Sequence, residues 1–321
     1  MTECPHFYTA FGEQLESSIP FDELEHCART ESSAPRWSLR EVAALEPMRD
    51  AVARGSDEIY RGVFARLHAH AEGHRITIDD TGIFDLPRDG GAIRFVRRDD
   101  ASPEFVRAHL LGRVLGTAIY LDGGLPLHAS AVAFPHGAIG FIAPKGFGKS
   151  SLALALLRHQ AGLLTDDTLR LSLGHTVLAW PGVQRMRLHE DAAGHLALPS
   201  EGNGAEIGNA SARDGKRLLR VGAAQRATAP VPLLALYTLA PDADPLAPVE
   251  RAALSPMAAA VALVSHVKIG AMLGAHATGA MLQRAAHITR NVAVMRLRVP
   301  RAHARLDEVA QALHVWHRPS A

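Results

Sequence analysis

The chain has 321 residues, enough for one large domain or two ordinary ones, and its 47% hydrophobic and 21% charged residues are typical of a globular protein. A formal net charge of +1 argues against a chain-wide attraction to nucleic acid or to an anionic membrane, so neither is expected as a partner. The two cysteines, Cys4 and Cys27, have no metal-ligand spacing and argue against a disulfide framework.

Two features predict a cytoplasmic location. Residues 1–18 lack the basic-then-apolar order of a secretory signal peptide. The most apolar region, 252–287, is interrupted by basic side chains such as Lys268 and Arg284. No run therefore approaches the roughly 20 apolar residues that a membrane-spanning helix needs.

Residues 1–121 are predicted to form a smaller N-terminal α+β domain. Within it, 76–86 and 92–98 alternate well enough to predict a β-hairpin joined by a Gly-rich turn. Residues 103–121 predict a helix, because apolar side chains recur on one face and Pro103 suits a first turn. This part carries no chemical motif, and recognition of a substrate or partner is left open as its role.

Residues 122–321 are predicted to form the second domain. Two β-rich segments, 125–134 and 138–143, are joined by a Pro-His-Gly turn and lead through a Gly-rich loop into a helix over 150–160. Residues 161–173 predict a strand, an acidic loop and a second strand.

The later segments continue this domain. Residues 186–198 are predicted as a helix, and 201–215 as a mobile loop because they are rich in glycine and asparagine. Further strands and helices are predicted at 216–221 (strand), 232–240 (strand), 256–287 (one long helix, or two broken near residues 269–270), 292–299 (strand) and 304–316 (helix).

The Gly-rich loop reads APKGFGKS over residues 143–150. It matches the last three positions of the phosphate-loop pattern G-x-x-x-x-G-K-[ST], and an alanine replaces the first glycine. Gly146 and Gly148 allow backbone N–H groups to turn toward a phosphate, and the following helix adds its positive N-terminal end. Lys149 is expected at the β- and γ-phosphates and Ser150 at Mg²⁺. An ordinary Gly-rich turn with a serine cap is the alternative.

An acidic pair, Asp166 and Asp167, follows an apolar strand segment. Phosphoryl transfer uses one carboxylate to orient a metal ion and often a second to accept the proton of the attacking hydroxyl. Adjacent aspartates at a strand end point in different directions and can divide these tasks, although a solvated turn is the alternative. His128 lies on the strand before the loop, where a lone histidine is more often structural than catalytic.

Three segments in order, LPLHASAV at 125–132, PKGFGKSS at 144–151 and LLTDD at 163–167, resemble the HPr kinase/phosphorylase family. In that family a Leu-His strand, a G-x-G-K-S loop and an Asp-Asp strand end recur in this order. The sequence most resembles the HPr-kinase-like peptide serine kinases of lasso-peptide biosynthetic clusters. The resemblance covers most of the chain, strongly over 125–170 and loosely elsewhere.

The resemblance implies an α/β class, α+β over the whole chain. The C-terminal core would be like that of HPr kinase and phosphoenolpyruvate carboxykinase, with a mixed sheet and a P-loop. By position, Lys149 resembles the phosphate-binding lysine, and Ser150 and Asp166 lie where that family holds its metal. Asp167 resembles the residue that takes the hydroxyl proton, and His128 the histidine that assists it. The implied nucleotide-binding residues are Lys145, Gly146, Phe147, Gly148, Lys149, Ser150 and Ser151.

Two departures from the family pattern concern the acceptor. Ser151 replaces the acidic residue that commonly follows the loop serine in HPr kinases, and the arginine-bearing C-terminal signature of those enzymes is not recognisable. Both argue against HPr itself as substrate and against phosphorolysis. Candidates for additional contacts to phosphate or substrate are Arg185, Arg187, Lys216 and Arg217, with a solvated surface charge as the alternative for each.

The sequence thus predicts an enzyme that uses ATP and Mg²⁺ to phosphorylate a hydroxyl group, with serine of a peptide or protein as the expected acceptor. A lasso-peptide precursor is the specific acceptor that the resemblance implies. A small-molecule or carboxykinase-like enzyme and a nucleotide-binding regulatory protein with little catalysis are the alternatives. Self-association into a homo-oligomer is left open.

Overall fold

A computed structural model of the chain divides into two units, residues 1–126 with 267–283 and residues 127–266 with 284–321. It describes residues 5–29, 34–189, 206–210 and 216–318, with the backbone alone for 189, 206–210 and 216–218. The predicted α/β class is confirmed, since mixed sheets and several helices make up these residues.

The first unit contains a nine-stranded mixed sheet, ordered β3-β1-β2-β4-β9-β8-β7-β6-β5. Its strands are β1 His6–Ala10, β2 Glu13–Ser17, β3 Glu25–His26, β4 Trp37–Glu41, β5 Val52–Tyr60, β6 Val63–His70, β7 Gly73–Ile78, β8 Gly82–Pro87 and β9 Ala92–Arg97. The pairs β2–β4 and β4–β9 are parallel, and the remaining pairs are antiparallel.

The predicted hairpin in this sheet is confirmed in one part and wrong in another. Strands β8 and β9 pair antiparallel as expected. The segment 76–86, however, is not one strand, because β7 ends at Ile78 and a turn closed by Thr81 N donating to Ile78 O at 3.0 Å precedes β8. Asp, Asp, Thr and Gly at 79–82 are turn-forming residues, which explains the interruption.

The predicted helix over 103–121 forms with a local irregularity. Helices α1 Pro103–His109 and α2 Leu115–Leu121 are joined by a π-helical stretch, Leu110–Val114. The expected apolar face is present, since Leu110, Val114 and Ala118 are fully buried.

The segment Val267–Gln283 belongs to the first unit, whereas the sequence placed all of 122–321 in the second domain. It contains the short helix Gly270–Leu273, which packs against β5. The approach is close, because a Cβ on Gly55 would lie 2.5 Å from Ala271 O and 2.9 Å from Met272 O. A glycine in a strand can mark such an approach, but the sequence does not say which segment approaches.

The second unit is built on a seven-stranded mixed sheet, ordered β11-β10-β12-β13-β17-β19-β18, with a further parallel pairing of β11 and β17. The strands β11, β10, β12, β13 and β17 therefore close into a ring. The sheet consists of β10 Leu125–Phe134, β11 Gly137–Ile142, β12 Gly162–Leu173, β13 Val177–Trp180, β17 Val231–Asp242, β18 Glu250–Ala253 and β19 Ala293–Pro300.

The helices of the second unit cover this sheet. Helix α3 Lys149–Leu157 is the next element after β11, and its buried residues share one apolar core with β10, β11 and the closing helix Leu306–Trp316. The other helices of this unit are Pro256–Ser265 and Thr278–Asn291, which starts in the first unit, with short 3₁₀ turns at Ala223–Gln225 and His303–Arg305; a further 3₁₀ turn, Ala275–Ala277, lies in the first unit. None of the helices in the described ranges is long and apolar enough to cross a membrane.

A small third sheet, ordered β14-β16-β15, corrects two predictions. Its strands are β14 Arg185–His189, β15 Glu206–Ala210 and β16 Lys216–Arg220. Residues 186–189 were predicted as helix, but Met186 and Leu188 are buried while the arginines between and before them are not, which is the period of a strand. Residues 206–210 form a strand rather than part of a loop; 190–198, 201–205 and 211–215 lie outside the described residues.

Candidate active site

The Gly-rich loop lies between the end of β11 at Ile142 and the start of α3 at Lys149. Gly146 and Gly148 both have a φ of +87°, a left-handed conformation that side-chain-bearing residues rarely adopt. A Cβ would meet nothing within 4 Å at either position, so the backbone conformation alone favours glycine there. Gly148 is also the N-cap residue of α3.

Lys149 spans this loop from its end to its beginning. Its Nζ donates to Ala143 O at 2.7 Å and to Pro144 O at 3.3 Å, and the residue is only 7% exposed. A positive charge is thereby held against the loop beside the N-terminus of α3, an arrangement that attracts an anion. Of the other loop residues, Lys145 and Phe147 are exposed and Ser151 is half-buried in the first turn of the helix.

Asp166 is buried next to the start of α3. Its Oδ1 accepts hydrogen bonds from the hydroxyls of Ser130 on β10 and Ser150 on α3, the latter at 2.8 Å. Its Oδ2 lies 3.4 Å from the backbone N of Arg187. Burial raises the pKa of Asp166 and the charge of Asp167 raises it further, while the hydroxyl and backbone donors oppose the shift.

Asp167 lies within β12 and not at a strand end or in an acidic loop, as the sequence had predicted. Its φ of +107° is positive, which is rare for a residue other than glycine and is tolerated best by aspartate and asparagine. The strand therefore continues through the acidic pair with a local turn of the backbone, which the hydrogen bond from Thr165 Oγ1 to Thr168 O, 2.8 Å, spans.

The Asp167 carboxylate is held from two sides. His128 Nδ1 lies 3.3 Å from its Oδ1, and the Thr168 hydroxyl donates to its Oδ2 at 3.2 Å. His128 Nδ1 also lies 3.1 Å from the main-chain oxygen of Asp167, and because a carbonyl oxygen only accepts, Nδ1 carries the proton. The Asp167 side chain is 51% exposed, so it can meet a molecule arriving from solvent.

The two aspartates reach the same face of the sheet. Their partners, His128 and Ser130, are two residues apart on β10, and side chains at that spacing in a strand share a face. Adjacent residues of a regular strand would instead face opposite sides, so the positive φ at Asp167 is what brings both carboxylates together.

Gly182 lies on the segment adjacent to this turn and packs against it. Its N donates to Leu164 O at 2.9 Å, and Asp166 N in turn donates to Val183 O at 3.1 Å. A Cβ on Gly182 would overlap Thr165 Oγ1 and lie 2.9 Å from Thr168 O. Close packing behind the acidic pair therefore requires glycine at this position.

His266 is a neighbour that the sequence did not single out. Its main-chain oxygen accepts from His128 N at 2.7 Å, and its Nδ1 donates to Ala262 O at 2.7 Å. Burial lowers the pKa of His266, and the charges of Lys149 and His128 lower it further, whereas the bond to Ala262 opposes the shift. The imidazole is thereby favoured in its neutral form beside these two side chains.

Of the four basic residues considered as phosphate or substrate contacts, the structure places only some near this site. Arg187 reaches Asp166 through its backbone N–H, and Arg185 lies two residues earlier on β14 with a half-buried side chain. In the register of the small sheet, Lys216 pairs with His189 and Arg217 with Leu188. The side chains of Lys216 and Arg217 lie outside the described residues.

The oxygen donors here suit Mg²⁺ bound with a nucleotide. No group of three or more His, Cys, Asp or Glu side chains that could hold a metal ion occurs among the described residues. Mg²⁺ needs none, since it is usually held by one or two carboxylates and substrate phosphates. The Asp166 carboxylate and Ser150 hydroxyl are hard oxygen ligands, and a cation would stabilise the charge of a carboxylate that burial disfavours.

Comparison with solved structures gives 92 matching chains. The HPr(Ser) kinase/phosphatase from Coxiella burnetii is similar to this chain with 14% sequence identity and a TM-score of 0.29, over 60% of this chain and 97% of that one. No family model matches the sequence, and no curated protein matches it. The function is therefore inferred from the geometry of the site.

Proposed function

We propose that this protein is a kinase that transfers the γ-phosphoryl group of Mg²⁺-bound ATP to a hydroxyl group, with serine of a peptide or protein as the acceptor. The observation that supports this proposal is that two adjacent aspartates on β12 have different partners at the phosphate loop. Asp166 meets Ser150 of the phosphate loop, and Asp167 meets His128. One strand thus carries a carboxylate for the metal and a carboxylate for a proton, side by side at the loop.

Nucleotide binding is assigned to the loop and the start of α3. Backbone N–H groups around Gly146 and Gly148 and the ammonium of Lys149 would hold the β- and γ-phosphates. Ser150 and Asp166 would hold Mg²⁺, which when bound neutralises phosphate charge that develops during transfer.

Asp167 is assigned as the general base. The acceptor hydroxyl gives its proton to an Asp167 oxygen as its own oxygen forms a bond to the γ-phosphorus, and the bond from that phosphorus to the bridging oxygen of ADP breaks. His128 orients Asp167 through Nδ1–H, and Thr168 holds the second carboxylate oxygen. The half-exposed position of Asp167 is suited to an acceptor that arrives from solvent.

The acceptor is inferred from the resemblance rather than from the site. A lasso-peptide precursor is the specific candidate that the resemblance supports. A small-molecule kinase would use the same groups, whereas a regulatory protein that only binds nucleotide has no need of the His128–Asp167 pair.

The decisive test separates binding from transfer in Asp167→Asn. Asparagine tolerates the positive φ and keeps the side-chain shape, so MgATP affinity measured by calorimetry should stay close to that of the parent. Transfer of ³²P to a serine-bearing precursor peptide should fall by about 10²- to 10⁴-fold, the usual contribution of a general base. His128→Ala should show a smaller loss.

Asp307→Asn is the matched control, because that side chain is 54% exposed and also pairs with a histidine, His159 Nε2 at 3.1 Å. It should transfer phosphate as the parent does. Equal rates for Asp167→Asn and the parent would place the base elsewhere. Transfer to small alcohols but not to peptides would identify a small-molecule kinase, and binding without any transfer would identify a regulatory protein.

A further inference from the structure

Ser130 is a buried polar residue in an apolar stretch of β10. It is 1% exposed, between the fully buried Ala129 and Ala131. A buried hydroxyl is costly unless it is hydrogen-bonded, and the Ser130 hydroxyl is bonded to Asp166 Oδ1. Neither the nucleotide contacts nor the proton transfer described above uses this residue.

The two oxygens of Asp166 differ in what they bind. Oδ1 accepts two hydroxyl donors, Ser130 and Ser150, which occupy both of its lone pairs. Oδ2 accepts from the backbone N of Arg187 at 3.4 Å, which is long for a hydrogen bond. Oδ2 is therefore the oxygen with acceptor capacity left for a cation.

Ser130 and Ser150 are not equivalent donors to Oδ1. Ser150 lies on the first turn of α3 and is assigned to the metal, so its hydroxyl group serves both the cation and the carboxylate. Ser130 lies on the neighbouring strand β10 and is enclosed by the sheet. Ser130 is therefore the partner that can keep the Asp166 carboxylate in the same position whether or not a metal ion is bound.

We propose that Ser130 is a positioning residue that fixes Oδ1 of Asp166 and thereby presents Oδ2 to the Mg²⁺ of the bound nucleotide. This inference rests on the proposed function, because it assumes that metal-bound nucleotide occupies this site. Groups that orient a ligand-bearing side chain typically contribute 10- to 100-fold to metal affinity.

The test compares Ser130→Ala, which removes the donor, with Ser130→Thr, which keeps it on a residue suited to strands. Ser130→Cys, a nearly isosteric weak donor, stands in if the alanine variant does not fold. Ser172→Ala is the control, because Ser172 lies on the same strand as Asp166 but roughly 20 Å further along. Like Ser130, it has a hydrogen-bonded hydroxyl, which accepts from Trp180 Nε1 at 2.9 Å.

Two binding constants are measured for each variant. Mn²⁺ affinity is read by electron paramagnetic resonance in the presence of a non-hydrolysable ATP analogue, and analogue affinity without metal is read by calorimetry. Ser130→Ala should weaken Mn²⁺ binding by about 10- to 100-fold and leave metal-free analogue binding unchanged. Ser130→Thr should recover most of the loss, Ser130→Cys only part of it, and Ser172→Ala should equal the parent.

Parent-like Mn²⁺ affinity in Ser130→Ala would overturn the proposal. So would an equal loss in Ser172→Ala, or a loss of metal-free analogue binding together with metal binding, since either result points to general damage. If the parent binds Mn²⁺ with the analogue but transfers no phosphate, the kinase assignment fails while the role of Ser130 stands. If the parent binds neither, both fail.

Discussion

The positive φ of Asp167 predicts that glycine is more stable than alanine at this position, which is the reverse of the usual order in a strand. Within a strand, glycine is normally less stable than alanine by roughly 0.5–1 kcal/mol, because it loses more backbone freedom on folding. At Asp167, with φ +107°, alanine must adopt a conformation that costs a residue with a Cβ about 1–3 kcal/mol. Glycine does not incur that cost.

Asp167→Gly should therefore be more stable than Asp167→Ala by about 1 kcal/mol, the difference between these two opposing effects. Both variants lose the same contacts to His128 and Thr168, so the comparison isolates the backbone. The free energy of unfolding is measured by urea titration followed by circular dichroism.

Ser172 on the same strand provides the reference position, because its φ is not positive. There the order should reverse, and Ser172→Ala should be more stable than Ser172→Gly. If alanine equals or exceeds glycine at both positions, Asp167 does not have a left-handed backbone, and the explanation of how the two carboxylates share one face is wrong.

Three further predictions concern the loop, the support behind the acidic pair and pH. Lys149→Ala should weaken MgATP binding by about 10- to 100-fold in calorimetry, the range for hydrogen bonds to charged groups, and Arg158→Ala at the far end of α3 should not. Gly182→Ala should lower the free energy of unfolding by about 1–3 kcal/mol in urea and weaken Mn²⁺–nucleotide binding; unchanged values would show that the close packing is unimportant. Burial, followed by the charges of Arg251 and His136, lowers the pKa of His317 from 6.5 to about 4, so the unfolded chain takes up this proton first. Stability should be retained above pH 6.5 and fall as the pH drops toward 4, and His317→Leu should lose less over that window in thermal melts.

The sequence predicted the parts of the site that depend on neighbouring residues. A strand, two glycines, Lys-Ser and an apolar helix are contiguous along 139–157, and each is determined by local backbone chemistry. The antiparallel pairing of β10 with β11 was likewise predictable, because a short turn joins them. His128 was selected by resemblance, and its contact with Asp167 follows from β10 lying beside β12.

The sequence did not predict features that depend on distant partners. Ser130 stands two residues after His128 as a small polar residue in an apolar strand, which was a usable signal, but its bond to Asp166 joins residues 36 apart. Nothing near Gly182 indicates that Thr165 packs against it. Strand β14 was wrongly predicted as part of a helix, because two apolar residues, at 186 and 188, are too short a pattern to separate a strand from a helix. Their burial, in a strand that contacts α3, shows that the segment is a strand.

The division of labour between the aspartates follows from a single turn of the backbone. The two residues are adjacent, yet Asp166 is 6% exposed and bound to two hydroxyls, whereas the Asp167 side chain is 51% exposed and paired with a histidine. In a regular strand one of them would face the opposite side of the sheet, away from the loop. Left-handed geometry at Asp167 instead gives one carboxylate a fixed, enclosed position and the other an accessible one. These are the different environments that a metal ligand and a proton acceptor require, and sites of backbone strain are where such functional constraints concentrate.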